Sequence, residues 1–96
     1  MLCPDLLFGS KVQGMLAAAG HEVVAVASAG EAEGADALVV DLHTAVDRLE
    51  DVPALGFYSH VDQETRRRAE AAGFDRVVPR SRMAREGAAL VEALLR

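Results

Sequence analysis

The sequence predicts a single α/β domain over residues 1–96, built on a doubly wound parallel sheet of five strands, each followed by a helix. Three observations carry this. Short apolar runs alternate with amphipathic helical runs along the chain, the pattern of βαβ units. The apolar runs are near-continuous, as in parallel strands buried on both faces. The interior is built from Ala, Val and Leu, with 51% hydrophobic but only 4% aromatic residues, which suits close packing of helices on a sheet. Right-handed crossovers then favour the doubly wound arrangement.

The elements follow in order. Residues 1–3 (MLC) form a short first strand, limited by Pro4. Residues 11–19 read as a helix, with Val12, Met15, Leu16 and Ala19 at helical spacing. Ser10 is its N-cap and Gly20 its stop. Residues 22–27 (EVVAVA) read as a buried second strand. Residues 28–34 contain two glycines and allow only a weak turn of helix. Residues 37–41 (ALVVD) are the clearest strand. Residues 45–50 allow one or two helical turns. Residues 54–59 (ALGFYS) form the fourth strand after Pro53. Asp62 caps a helix running to Ala72, and Gly73 ends it. Residues 76–78 are the fifth strand. Residues 83–95 are the last helix, with Ala89, Leu90, Ala93 and Leu94 on its inner face.

The net charge is -5, so general affinity for nucleic acid is not expected. The charge is uneven. Residues 1–60 hold nine acids against Lys11 and Arg48, a balance of -7. Residues 61–96 hold six acids against eight arginines, a balance of +2. One cysteine, Cys3, excludes an internal disulfide and fits a reducing cytoplasm. No apolar run reaches the ~18 residues of a membrane span, and the start of the chain lacks the pattern of a signal peptide. The shortness of the first strand leaves open a start site chosen slightly downstream.

Ligands of such a sheet gather at the carboxyl ends of its strands. The residues there are Cys3, Pro4 and Asp5, then Ser28, Asp41 and His43, Ser59 and His60, and Arg80 and Ser81. Asp41 ends an apolar strand, so its carboxylate lies at the mouth of the sheet. A carboxylate there can act as a nucleophile toward phosphorus if a divalent cation neutralises charge. Ser59 can hydrogen-bond a phosphoryl group on Asp41, and Arg80 can grip it in bidentate fashion. The other reading is that Asp41 caps the next segment, Ser59 satisfies a turn and Arg80 is a surface charge.

At these residues the chain resembles bacterial response-regulator receiver domains over nearly its full length. Residues 18–24 (AAGHEVV) resemble the receiver's junction of helix one and strand two. Residues 36–42 (DALVVDL) resemble the strand bearing the phosphorylated aspartate. Residues 57–60 (FYSH) resemble the strand ending in a switch Ser or Thr. Residues 71–80 (AAGFDRVVPR) resemble the segment reaching the family's lysine. The resemblance implies a flavodoxin-like (βα)5 fold with strand order 2-1-3-4-5 and shortened second and third helices. It implies Asp41 as the phosphoacceptor position and Ser59 as the switch hydroxyl. Arg80 stands in place of the lysine, a planar fork for a compact ammonium.

The departures from the family bear on chemistry. Cys3 and Pro4 stand where receivers carry the acidic pair that holds Mg2+, with only Asp5 beside them. Mg2+ demands hard oxygen ligands, so Asp5 and Asp41 together would hold it weakly at best. Val77 replaces a switching aromatic. The resemblance thus implies a degenerate receiver, a pseudo-receiver, with little phosphorylation by the Mg2+-dependent route and no required cofactor.

Cys3, Asp41, His43 and His60 are acceptable zinc ligands in type, but no pair has the short spacing of a structural zinc motif. No phosphate-binding glycine motif or catalytic triad is present. Arg66, Arg67, Arg68, Arg76, Arg82 and Arg85 form a basic cluster on the fourth helix, fifth strand and last helix. This is either a solvated face of mixed charge or, as the resemblance implies, the surface for a protein partner or homodimer. The expected function is a non-catalytic, cytoplasmic signalling or protein-interaction module, with no nucleic-acid or membrane partner. Two alternatives stand beside it: a working single-domain phosphoacceptor of a two-component phosphorelay, and a small-ligand or metal-binding α/β domain.

Overall fold

Two strands, each buried along its whole length, form the centre of the molecule. They belong to a computed structural model that describes residues 1–43, 51–59 and 62–96. Strand β1 is Leu38–Asp41 and strand β2 is Ala54–Tyr58. A third strand, β3 (Arg76–Pro79), completes a parallel sheet in the order β1-β2-β3. The register pairs Leu38 with Ala54 and Asp41 with Phe57, then Leu55 with Arg76 and Tyr58 with Pro79.

Side chains alternate across the sheet, as the period of two demands. Leu38, Val40, Ala54 and Tyr58 face one way, with Leu42, Phe74, Ala69 and the alanines of a 3₁₀ turn at Ala29–Ala32. Ala69 belongs to helix α2, Gln63–Ala71. Val39, Leu55, Phe57 and Val78 face the other way. There they meet helix α1, Leu6–Ala18, through Val12 and Leu16, and helix α3, Arg80–Leu95, through Met83, Leu90 and Val91. The sheet is therefore covered on both faces, which explains the absence of polar alternation in β1 and β2.

The five-stranded, doubly wound expectation is corrected by this sheet. The 1–3 segment makes one isolated parallel bridge, Leu2 to Val40, and the 22–27 segment is not a strand. The cause is local. Pro4 has no N–H to continue a ladder, and Asp5 starts a helix at once. Val24 C=O accepts from Met1 N (2.6 Å), and Val26 N–H donates to Met1 C=O (2.9 Å). With strands in simple sequential order, the described sheet contains no reversal point and is not a flavodoxin-like (βα)5 sheet. The shortened second helix is the single 3₁₀ turn. The turns expected over 45–50 lie outside the described residues.

Two helices start earlier than their apolar spacing suggests. The Asp5 carboxylate accepts from Phe8 N–H at 3.0 Å and caps α1, so Asp5 and not Ser10 is the N-cap. Gly9 is thereby drawn inside the helix, where an added Cβ would lie 3.4 Å from the Cys3 carbonyl. Pro79 has an extended backbone and serves as the N-cap residue of α3, so that helix begins at Arg80. The inner stripe of α3 is Met83, Gly87, Leu90 and Val91, with Leu94 half-buried. Ala89 and Ala93, expected inside, are exposed. Helix α2 starts at the expected cap, where Asp62 accepts from Thr65 N–H at 3.0 Å. Gly20 and Gly73 follow α1 and α2 at φ 96° and 90°, the left-handed geometry that glycine adopts without strain.

Gly56 lies at the tightest point of the sheet. A Cβ there would come within 2.7–2.8 Å of three Leu42 side-chain carbons. Gly87 also lacks room, but the obstacles are the flexible ends of Met15 and Met83, which can shift. Gly56→Ala is expected to lose about 1–3 kcal/mol through overpacking, read as a lower urea midpoint. Gly87→Ala is expected to stay near neutral, because better helix propensity offsets the shift of Met15 and Met83. Combined with Leu42→Ala, Gly56→Ala should cost less than the two losses added. Strict additivity would rule out Leu42 as the cause.

Candidate functional site

The carboxyl ends of β1, β2 and β3 bring together most of the residues expected there. Asp41 ends β1 and is 5% exposed, the one buried charged residue among those described. Its Oδ1 accepts from His43 N–H at 3.0 Å, closing an Asx turn over the strand end. Its Oδ2 lies 4.0 Å from Cys3 Sγ. Burial pushes the Cys3 thiol above its ordinary value. The carboxylates of Asp41 and Asp5 push the same way, while the Asp5 carbonyl and Arg80 pull it down. The thiol is therefore protonated near neutral pH and is a poor nucleophile.

On one side of Asp41 stands an ion pair. Arg80 Nη2 donates to Asp5 Oδ2 at 2.8 Å. The guanidinium lies 4.3 Å from the centroid of Phe8, within the range of a cation–π contact. Phe8 in turn packs on Phe57 of β2, with ring centroids 5.1 Å apart. Arg80 is thus held by charge on one side and by a ring on the other. The Asp5 carboxyl lies below its ordinary value, first because Phe8 N–H bonds to it and then because Arg80 does.

On the other side stands a histidine. His43 Nε2 accepts from Ser59 N–H at 2.9 Å, so Nδ1 carries the proton in the neutral ring. Nδ1 faces Asp62 Oδ2 at 3.7 Å. Asp62 caps α2 and also accepts from the Thr65 hydroxyl. These bonds from Thr65 place the Asp62 carboxyl below its ordinary value, with His43 adding to the effect. The imidazole therefore ties the turn after β1 to the end of β2 and the start of α2.

No family model matches the chain, and neither a curated protein nor a solved structure matches it. The resemblance to receivers rests on the sequence motifs alone.

The donor set does not fit Mg2+. Asp5 Oδ1 is taken by the helix cap and Oδ2 by a guanidinium. Asp41 Oδ1 is taken by His43 N–H. Mg2+ requires near-octahedral oxygen donors, and a cation already occupies the face of Asp5. Among the described residues no three His, Cys, Asp or Glu side chains converge on one point. Of the zinc candidates, Cys3 and Asp41 are neighbours, His43 has spent its ring acceptor on Ser59, and His60 lies outside the described residues.

The arginines of the basic cluster are mostly balanced on their own helices. Arg66 faces Glu70 at 3.5 Å and Arg67 faces Glu64 at 3.2 Å on α2. Arg82 and Arg85 both approach Glu86 on α3, at 3.5 and 4.0 Å. Arg68 and Arg76 are exposed and have no ion pair among the described residues.

Two features escaped the sequence reading. The His43 bridge depends on a turn geometry that no residue spacing encodes, although Asp62 was legible as a cap. A cavity of about 490 Å³ opens at the opposite end of the sheet. It is lined by residues that precede β1 and by the C-terminal turns of α1 and α3. Neither end has a helix long and apolar enough to cross a membrane among the described residues.

The lowered Asp5 carboxyl makes stability depend on pH. A carboxyl whose folded pKa lies below its unfolded value stabilises fully above about pH 3.9. That stabilisation is lost as pH falls through the folded value. Asp5→Asn keeps a capping oxygen but removes the charge facing Arg80. The variant should be less stable at neutral pH and lose less on acidification. Asp62 leaves a residual slope of the same sign. Urea midpoints of both proteins between pH 7 and pH 2.5 check this, and parallel curves would refute it.

Proposed function

We propose that the chain is a non-catalytic, receiver-like protein-interaction module whose strand-end aspartate has a structural role. One observation carries the reading: Arg80, the cation that a phosphoryl group on Asp41 would need, is held by Asp5 at 2.8 Å and stacked on Phe8. A phosphoryl group brings about two negative charges. Placed on buried Asp41 beside Asp5, with no fitted metal, it would meet desolvation and like charge together. The Asx turn instead uses Asp41 to shape the turn after β1. Ser59 contributes its backbone N–H to the same local framework through His43.

The surface offered to a protein partner is the face of α2, β3 and the start of α3. It is marked by exposed Arg68 and Arg76 and offers side chains of two helices rather than a pairing edge. The ion pairs of Arg66, Arg67, Arg82 and Arg85 are exposed, so they contribute little stability and can be exchanged for partner contacts at small cost.

Incubation with Mg2+ and acetyl phosphate, followed by intact mass, tests the reading. The mass is expected to stay unchanged. Asp41→Asn is expected to lower the thermal midpoint modestly, since Asn can still accept from His43 N–H. A phosphoryl-sized mass gain that disappears in Asp41→Asn would overturn the structural role and restore a working phosphoacceptor.

A further inference from the structure

We propose that the unpaired side of the 22–27 segment takes an extended, basic segment of a partner protein as an added strand, its cations meeting Glu22, Glu33 and Asp36. The two hydrogen bonds to Met1 use Val24 C=O and Val26 N–H. The N–H and C=O of one residue in an extended chain point to the same side, and neighbours point oppositely. Val23 and Ala25 therefore turn their backbone groups outward, and none of these groups has a partner among the described residues. An unpaired, apolar edge is a template for strand addition. The usual protections are missing over 23–27: no lysine, no proline, no inward charge. The edge strand β3 is only four residues long and contains Arg76 and Pro79, both of which discourage pairing.

Charge selects the occupant. The cavity beside this segment is lined by Glu22, Glu33 and Asp36, with Glu31 bound to Ala27 and Ser28 N–H, and its one cation among the described residues is the Met1 ammonium, which donates to Val24 C=O. The His21 imidazole in its wall has a buried Nε2 without a hydrogen bond, 3.9 Å from Glu92. A second copy would bring the same carboxylates to the same place, and like charges oppose that pairing. A strand with alternating cationic and aliphatic side chains matches the surface, because Val24 is 62% exposed and Leu95 41% exposed beside the acids.

The probe is a fluorescent, acetylated peptide of alternating lysine and valine, with a glutamate–valine peptide as control, titrated by anisotropy against the intact chain. The lysine–valine peptide is expected to bind, to weaken with added salt, and to slow exchange of the Val23 and Ala25 amides. Ala25→Pro removes an outward N–H and leaves both bonds to Met1. Glu33→Lys with Asp36→Lys reverses the charge. Each is expected to weaken binding about tenfold or more, with the melting curve confirming that the variant is folded. If Ala25→Pro unfolds, amide exchange in the unmodified chain decides. No binding, equal binding by the variants, or peptide protection that falls elsewhere would overturn the proposal. A dimer in sedimentation that Ala25→Pro abolishes would also overturn it, by giving the segment to a second copy.

Discussion

Asp5 has two carboxylate oxygens, and the arrangement of the sheet's carboxyl end depends on where they go. Oδ1 accepts from Phe8 N–H and starts α1. Oδ2 accepts from Arg80 and anchors the first residue of α3. One side chain thus joins the beginnings of the two helices that cover the same face of the sheet. The join is reinforced along the helices, where Gly87 of α3 sits so close to α1 that Met15 fills the space a Cβ would need. It is also reinforced below, where Phe8 lies between Arg80 and Phe57. A guanidinium at a helix N-terminus opposes the macrodipole. The Asp5 carboxylate offsets that, and α3 has no acid in its first turn to do so instead.

The same junction sets the width of the sheet. Because the chain turns into a helix at Asp5, right after Pro4, the 1–3 segment has length for one bridge to Val40 and two bonds to the 24–26 segment. Pro4, which has no N–H for a ladder, and Asp5, which caps the helix, close the 1–3 segment.

Legibility in the sequence followed the range of the forces involved. β1 and β2 were readable because burial on both faces leaves an unbroken apolar run. Asp62 and Gly73 were readable because caps act within a few residues. Asp5 was not read as a cap, since Ser10 offered an equally good local signal and only the position of Cys3 and Arg80 decides between them. The first two strands were read from composition, but strand formation depends on pairing length, and Pro4 limits that. Asp41 ends β1, Ser59 follows β2 and Arg80 follows β3, so the parallel sheet puts all three at its carboxyl end. What the positions did not contain is the competition for Arg80, which comes from a residue 75 positions away in the chain.

Replacing Asp41 would take from His43 N–H the side-chain acceptor that shapes the turn after β1. The pairing of Arg80 with Asp5 also suits arginine better than lysine. The guanidinium can donate to Asp5 from one edge while its flat face lies over Phe8, whereas an ammonium has no such face. The arginine at this position is therefore explained by the ion pair and the ring, with no appeal to phosphate. By the same argument the end of the sheet that looks most like an active site is the part of this molecule most fully occupied with holding itself together. At Val23 and Ala25 the outward N–H and C=O groups have no partner among the described residues, and there the chain has bonding capacity left over.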